Sequence, residues 1–507
     1  MGKTKIFHSQ GIMLLWTSTS DTPSQFHTFY AAIIFLALGN SGQKLTENFL
    51  EYQLEEKIEA RQAVGGGSTH KKKELEFMDK VLIRSWMYAP CVVGYIITII
   101  YAFVVDDKYE HTFRFAALFM GGTYMVFLAG SAWYSREELP VESNLRKIYR
   151  ILKAALWKRG AKYPTSPSRY YWKGCKQDHH YKHREGVRLV PPVPRLCRWL
   201  DKAAILEPED SRVGVEVQEK NMKLCTVKDV REVKSLVPMF YLGFAFFGYS
   251  LLVATENTFF VAQASNMTSK ITKNDNDIFL LFLIKEGVSD VSRFICFLIG
   301  CAFRRLKHFK FIDNVCNKKA AIVRIGFGMV FAVICSLIAW KVEVGRLNVN
   351  KEMGYIEEGR NSTVALVPQF SLMGITEGLV EGGMASLFRR HVAKSMWSFG
   401  DAFGGLVIGS GKLLIIPLVL GIPSWFKDTL NASRLDRFYL MLGILNAVFL
   451  LVFAYYSFMY AYKVVCPEDD QPDSESSQVE ESKGENPDFV ESTVEIQLEN
   501  NGSQQRL

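Results

Sequence analysis

The chain has 507 residues, 60 Lys and Arg against 52 Asp and Glu, a formal charge of +8 and 49% apolar residues. Its mean hydropathy is close to zero, but the apolar residues are gathered into blocks of about 20, the length that crosses ~30 Å of hydrocarbon at 1.5 Å per residue. That grouping excludes an ordinary soluble globule, and it points to an all-α integral membrane protein whose average is diluted by charged segments.

Residues 1–134 read as an incomplete N-terminal membrane bundle. Gly11 to Thr19 supplies half a span, whereas Phe26 to Gly42 is uncharged, apolar and closed by Gly39-Asn40-Ser41-Gly42. A polar loop with Gly65-Gly66-Gly67-Ser68 and Lys71-Lys72-Lys73 comes next, its glycines marking a flexible connection. Two further spans are predicted over Ser85 to Val105 and Phe115 to Tyr134. Gly11 to Trp16 is too short for a secretory signal and lacks a small-residue cleavage site. Met1-Gly2-Lys3-Thr4-Lys5-Ile6 does not fit N-myristoylation, which needs Ser or Thr at the sixth position.

Residues 135–236 form a linker with no run long enough to cross a bilayer. Between Arg136 and Lys234 it has 23 Lys and Arg against 13 Asp and Glu. Such a basic block suits nucleic acid or an anionic surface; beside membrane spans, the cytoplasmic membrane face accounts for it and no nucleic-acid partner is expected. Asn144 to Arg159 places Leu145, Ile148, Ile151, Leu152, Ala155 and Leu156 at helical spacing, with basic residues around the other side. The pattern predicts an amphipathic helix on the membrane surface; a calmodulin target has a similar pattern. Val190-Pro191-Pro192-Val193-Pro194 is an extended connector.

Residues 237–463 carry six predicted spans: Val237 to Ala254, Ile278 to Phe303, Ala321 to Trp340, Ala365 to Phe388, Met396 to Leu420 and Phe438 to Tyr462. Residues 464–507 are an acidic tail, with 12 acids and two bases from Glu468 onward, and its composition predicts disorder. The nine cysteines form no CxxC pair and no zinc-like cluster with histidine, so no metal, cofactor or disulfide is expected.

The positive-inside rule places the linker in the cytoplasm, and alternating spans then put the basic segments Arg304 to Lys319 and Arg389 to Lys394 on the same side. Asn266, Asn361 and Asn431 head Asn-X-Ser/Thr sequons in three different loops, all on the opposite side, and are candidate glycosylation sites.

No Walker loop, nucleophile elbow or zincin helix occurs, so an enzyme is not expected. Charges within predicted spans are the notable feature, since they are costly at depth and normally face a bundle interior or aqueous cavity. Glu286, Asp290 and Arg293 share one helix face at i, i+4, i+7, with Lys285 about 100° away. Glu377 and Glu381 share a face of another span, and Asp401 and Lys412 nearly align on the next. The alternative role for each is an internal ion pair that only joins helices.

Several stretches resemble the plant nitrate and peptide transporter family, a branch of the proton-coupled oligopeptide transporters in the major facilitator superfamily. Arg198-Trp199-Leu200-Asp201-Lys202-Ala203-Ala204-Ile205 is similar to the family's RFLDKAAI, followed by Leu224-Cys225-Thr226-Val227 and Val230-Arg231-Glu232-Val233-Lys234. Arg324-Ile325-Gly326-Phe327-Gly328 is similar to its RIGIG. Val367-Pro368-Gln369-Phe370, Gly374 and Glu377 resemble its PQFFLxGxGE, and Trp425 to Tyr439 its link into the last helix.

The resemblance implies a major facilitator-like fold of two six-helix bundles that rock about a central cavity. About 10 of 12 helices are then expected here, the chain starting within the third and lacking the family's ExxER motif. Lys44 is similar to the family's fourth-helix lysine and Glu377 to its tenth-helix glutamate, while Ser386 replaces a second acid and Glu381 is an addition. The resemblance further implies a multi-pass protein of the plasma or vacuolar membrane, with linker and C-terminus cytoplasmic. Its expected partners are protons and a small polar solute such as nitrate, a peptide or another metabolite. Lys44 would hold an anionic group and Glu377 exchange the proton. The alternative is a regulatory or interaction protein that keeps the fold without transporting.

Overall fold

A computed structural model describes residues 27–38, 69–104, 109–130, 144–173, 181–183, 186–188, 195–206, 218, 222–267, 277–305, 310–352, 362–392, 394–427 and 429–461. Lys44, Asn361, the Val190–Pro194 connector and the acidic tail lie outside that set.

The described chain is almost entirely helical. In order come α1 (His27–Leu38), α2 (Thr69–Val104) and α3 (Tyr109–Gly130). In the linker lie α4 (Asn144–Trp157), a two-stranded hairpin of Tyr181–His183 and Gly186–Arg188, and a 3₁₀ segment, Arg195–Ala204. The C-terminal half holds α5 (Val227–Ala245), α6 (Phe247–Ser265), α7 (Asp277–Arg305), α8 (Lys310–Glu352), α9 (Val367–His391), α10 (Gly400–Gly421) and α11 (Leu435–Ala461).

Among the described residues, four helical stretches are long and apolar enough to cross a membrane: Ala320–Val349, Thr363–Arg389, Ala402–Gly421 and Leu435–Phe458. The α5–α6 pair makes a fifth if its two arms, bent by 55°, are one span. α7 is long enough, but Lys285, Glu286, Asp290 and Arg293 interrupt its apolar character.

Several boundaries differ from the sequence expectation. α2 begins at Thr69 and takes in Lys71-Lys72-Lys73, which are expected in a loop, and α8 runs from Lys310 to Glu352, beyond Ala321 to Trp340 at both ends. Two more differ for a local physical reason. α5 begins at Val227, inside the expected linker, because Thr226 caps it: the Thr226 hydroxyl accepts from the Asp229 backbone N–H at 3.1 Å, satisfying a group that the helix itself leaves unpaired. α6 runs past Ala254 to Ser265 through a π-turn over Glu256–Phe260, although the polar residues Thr255, Glu256 and Asn257 read as the end of a span.

α9 lies between α7 and α8, α8 also packs on α11, and α6 packs on α10. α8 turns Ala321, Ile325, Met329, Ala332, Cys335 and Ala339 into the core, while Val323, Phe327, Val330, Ile334 and Leu337 are exposed. An apolar residue on the outer face of such a helix is suited to hydrocarbon, and small residues on the inner face let backbones approach. α9 shows that approach: a Cβ at Gly374 would overlap the Lys285 carbonyl oxygen, and one at Gly378 the Ser292 hydroxyl, both on α7. On the other side Gly382 and Gly383 meet Arg324 and Ile325 of α8. Gly374→Ala is therefore expected to cost about 1–3 kcal/mol, as overpacked cores do, because a backbone carbonyl cannot swing aside. The melting temperature of the detergent-solubilised protein measures this; an unchanged value would contradict the close contact.

The linker packs into the same apolar cluster as the C-terminal helices. Ile151, Ala154 and Ala155 of α4 are buried with Leu200, Ala203, Ala204, Tyr170 and Cys225, and Lys234 pairs with the buried Asp201. Lys147 bonds Asp229 at 2.7 Å and Glu232 at 2.5 Å, and Arg150 bonds Asp229 at 2.9 Å. Burial opposes the Lys147 charge, but hydrogen bonds to Asp229 and Glu232 outweigh it and hold its pKa above the ordinary lysine value.

Candidate functional site

The charges of α7 and α9 meet where the glycines bring the two helices together. Glu377 bridges two cations, with one carboxylate oxygen 2.7 Å from Lys285 Nζ and the other 3.5 Å from Arg293 Nη2. Arg293 also pairs with Glu381 at 3.2 Å and Asp290 at 3.4 Å. Lys285 pairs with Glu286 at 2.8 Å and with Glu256 of α6 at 3.3 Å. From the N-terminal part of the chain, the Tyr95 hydroxyl of α2 donates to Asp290 at 2.6 Å, and Tyr88 packs edge-on against Phe294.

Five of the residues singled out from sequence, Glu286, Asp290, Arg293, Glu377 and Glu381, therefore belong to one cluster. Lys412 does not: it is exposed on α10 and enters no ion pair among the described residues. Asp401 lies in the first turn of α10 with its side chain outside the described set. Ser386 donates to the Gly382 carbonyl.

Helical spacing does not identify two members of the cluster. Lys285 projects off the charged face of α7, yet its long side chain reaches between α6 and α9 and is only 9% exposed. Glu256 is 1% exposed; the π-turn carries it inside. Its signal in the sequence is an acid flanked by Leu251-Leu252-Val253-Ala254 and Phe259-Phe260-Val261-Ala262, and π-turns often mark functional positions.

Among the described residues the cluster joins five carboxylates to two cations. At membrane depth such an excess is not tolerated as bare charge, so the arrangement is suited to binding protons or a cationic group. The buried hydroxyl of Tyr249, which interacts electrostatically with Glu381 and Glu377, has no hydrogen-bond partner among the described residues and is a further donor beside the cluster.

A second buried polar network lies elsewhere in the C-terminal half. Arg346 and Glu343 of α8 are 1% and 0% exposed and pair at 2.7 Å. Gln263 donates to Glu343 at 2.9 Å, and Gln369 and Tyr439 donate to Gln263. Arg346 donates to the Asn431 side-chain oxygen at 2.5 Å. Of the sequon asparagines, Asn266 is exposed at the end of α6 and Asn431 is half-buried in this network.

Known proteins share long stretches of this chain. Protein NRT1/ PTR FAMILY 5.7 of Arabidopsis thaliana is 26% identical over 456 residues, covering 87% of this chain and 70% of that protein. Protein NRT1/ PTR FAMILY 5.5 of the same plant is 28% identical over 351 residues, 67% of this chain and 63% of that protein. A solved structure described as an auto inhibited POT family peptide transporter superposes with a TM-score of 0.49 at 12% identity, covering 92% of this chain and 83% of that one. The model of the POT family, PTR2, matches residues 5–434, and a match over so much of the sequence makes this chain a member of that family.

Proposed function

We propose that the protein is a secondary active transporter that moves a small polar solute in symport with protons by alternating access, with Glu377 as the proton-exchanging carboxylate. The observation that carries this reading is the position of Glu377, bridged by Lys285 and Arg293 where α6, α7 and α9 converge. An ionised carboxylate at depth is retained while cations face it and is costly when they withdraw. A movement that separates Glu377 from Lys285 thus favours proton uptake, and one that rejoins them favours release. The contact of Tyr95 with Asp290 supports a link between this cluster and the N-terminal helices. Membership of the POT family supports nitrate or peptides as solute class, and the cytoplasmic placement of the linker rests on its charge.

The test is uptake by the purified protein in liposomes with an acidic exterior, assayed with nitrate and with di- and tripeptides. Accumulation of one class that collapses with a protonophore is the expected outcome. Uptake that ignores the proton gradient would reject coupling, and no uptake of either class would reject nitrate and peptides as the solute.

A further inference from the structure

The linker helix α4 has two apolar faces, and only one is packed against other described residues. Ile151, Ala154 and Ala155 are fully buried, with Lys147 and Arg150 held on that side by Asp229 and Glu232. On the opposite side Leu145, Tyr149, Leu152 and Leu156 are 67%, 59%, 36% and 61% exposed. Their spacing of four, three and four residues makes one continuous stripe along the helix. Arg146 and Lys153, both exposed, lie together along one edge of it, and Trp157 at the end is 64% exposed with Lys223 against its ring.

The clamp to α5 also sets the depth of this stripe. Glu232, which holds Lys147, precedes Phe240 by eight residues, about 12 Å of helix, and Phe240 and Phe244 are the exposed aromatics of α5. Measured along α5, α4 is therefore clamped about 12 Å from the exposed aromatics, which is one headgroup layer of about 5–8 Å plus roughly a side chain's length. An interfacial helix buries its apolar face about 5–10 Å into that boundary. A calmodulin-like partner wraps the whole circumference of its target, whereas half of α4 is already in the apolar cluster.

We infer that the Leu145, Tyr149, Leu152 and Leu156 stripe inserts into the anionic cytoplasmic leaflet, with Arg146 and Lys153 on lipid phosphates. The partner is the lipid surface itself, and the ion pairs from Lys147 and Arg150 to α5 fix which face meets it.

The test uses the full chain carrying Leu152→Cys in nanodiscs, with maleimide labelling of that peptide quantified by mass spectrometry and corrected by the rate at Lys162→Cys, an exposed position off the stripe. Replacing a phosphatidylcholine disc by one with phosphatidylserine is expected to slow labelling about thirtyfold, each basic side chain near an anionic surface contributing about fivefold. Adding Arg146→Gln and Lys153→Gln, which leave the protein-facing side intact, should restore the faster rate. Equal corrected rates in the two lipids would overturn the inference, as would shielding that appears only on addition of calcium-loaded calmodulin.

Discussion

Glu377→Gln is expected to abolish proton-driven accumulation while leaving exchange of solute across the liposome membrane intact. The substitution keeps the shape of the side chain and its capacity to hydrogen bond, and removes only its titration. It should not unfold the protein, because Lys285 retains Glu256 and Glu286 and Arg293 retains Glu381 and Asp290. Coupling and folding are thereby separable: the variant should insert and melt near the temperature of the unsubstituted protein. Lys285→Met has a different signature, since it leaves the buried Glu256 without the cation that faces it, and should lower stability as well as transport. Driven accumulation at the unsubstituted level in Glu377→Gln, at matched protein density, would reject the coupling role and leave the cluster a helix-joining device.

Arg346→Ala is expected to destabilise the protein by about 3–5 kcal/mol, the usual cost of breaking a buried ion pair from one side. The guanidinium meets both oxygens of Glu343, at 2.7 and 3.0 Å, and donates to Asn431. Its removal leaves the Glu343 carboxylate with the Gln263 amide as its donor. The double variant Glu343→Met/Arg346→Met should be less destabilised than Arg346→Ala, because a buried pair replaced by apolar side chains of similar volume is often neutral. Melting temperature in detergent checks both. An Arg346→Ala protein as stable as the parent would mean that water reaches Glu343, contrary to its burial.

Each of these sites is legible in part from the sequence. The carboxylates of α9 and the acid–base face of α7 are readable from i, i+4 and i+7 spacing, because side chains on a helix repeat their direction at that period. That the two faces oppose each other is not, since it depends on Gly374 and Gly378 admitting the α7 backbone. Glu343 and Arg346 come after Trp340, where falling hydropathy reads as the end of a span; α8 continues to Glu352 because the pair satisfies its own charges in the core. Helical period gives the linker helix one apolar face and groups Lys147 and Arg150 with the solvated bases. Their partners Asp229 and Glu232 are 79 and 85 residues away, beyond the reach of a local pattern.

The sequence by itself determined a helical membrane protein, the basic character of its linker and the spans in which charge is carried at depth. Those features come from segment length, charge bias and helical period, which are local quantities. The tertiary structure alone decided that Lys285 and Arg293 each join three carboxylates, that Glu256 belongs to the cluster, that Lys412 stands outside it, and that α4 keeps a second apolar face exposed. The reason is physical: a long side chain joins whichever carboxylates the packing of three helices brings within about 3 Å, and that packing is set by small residues far apart in the chain.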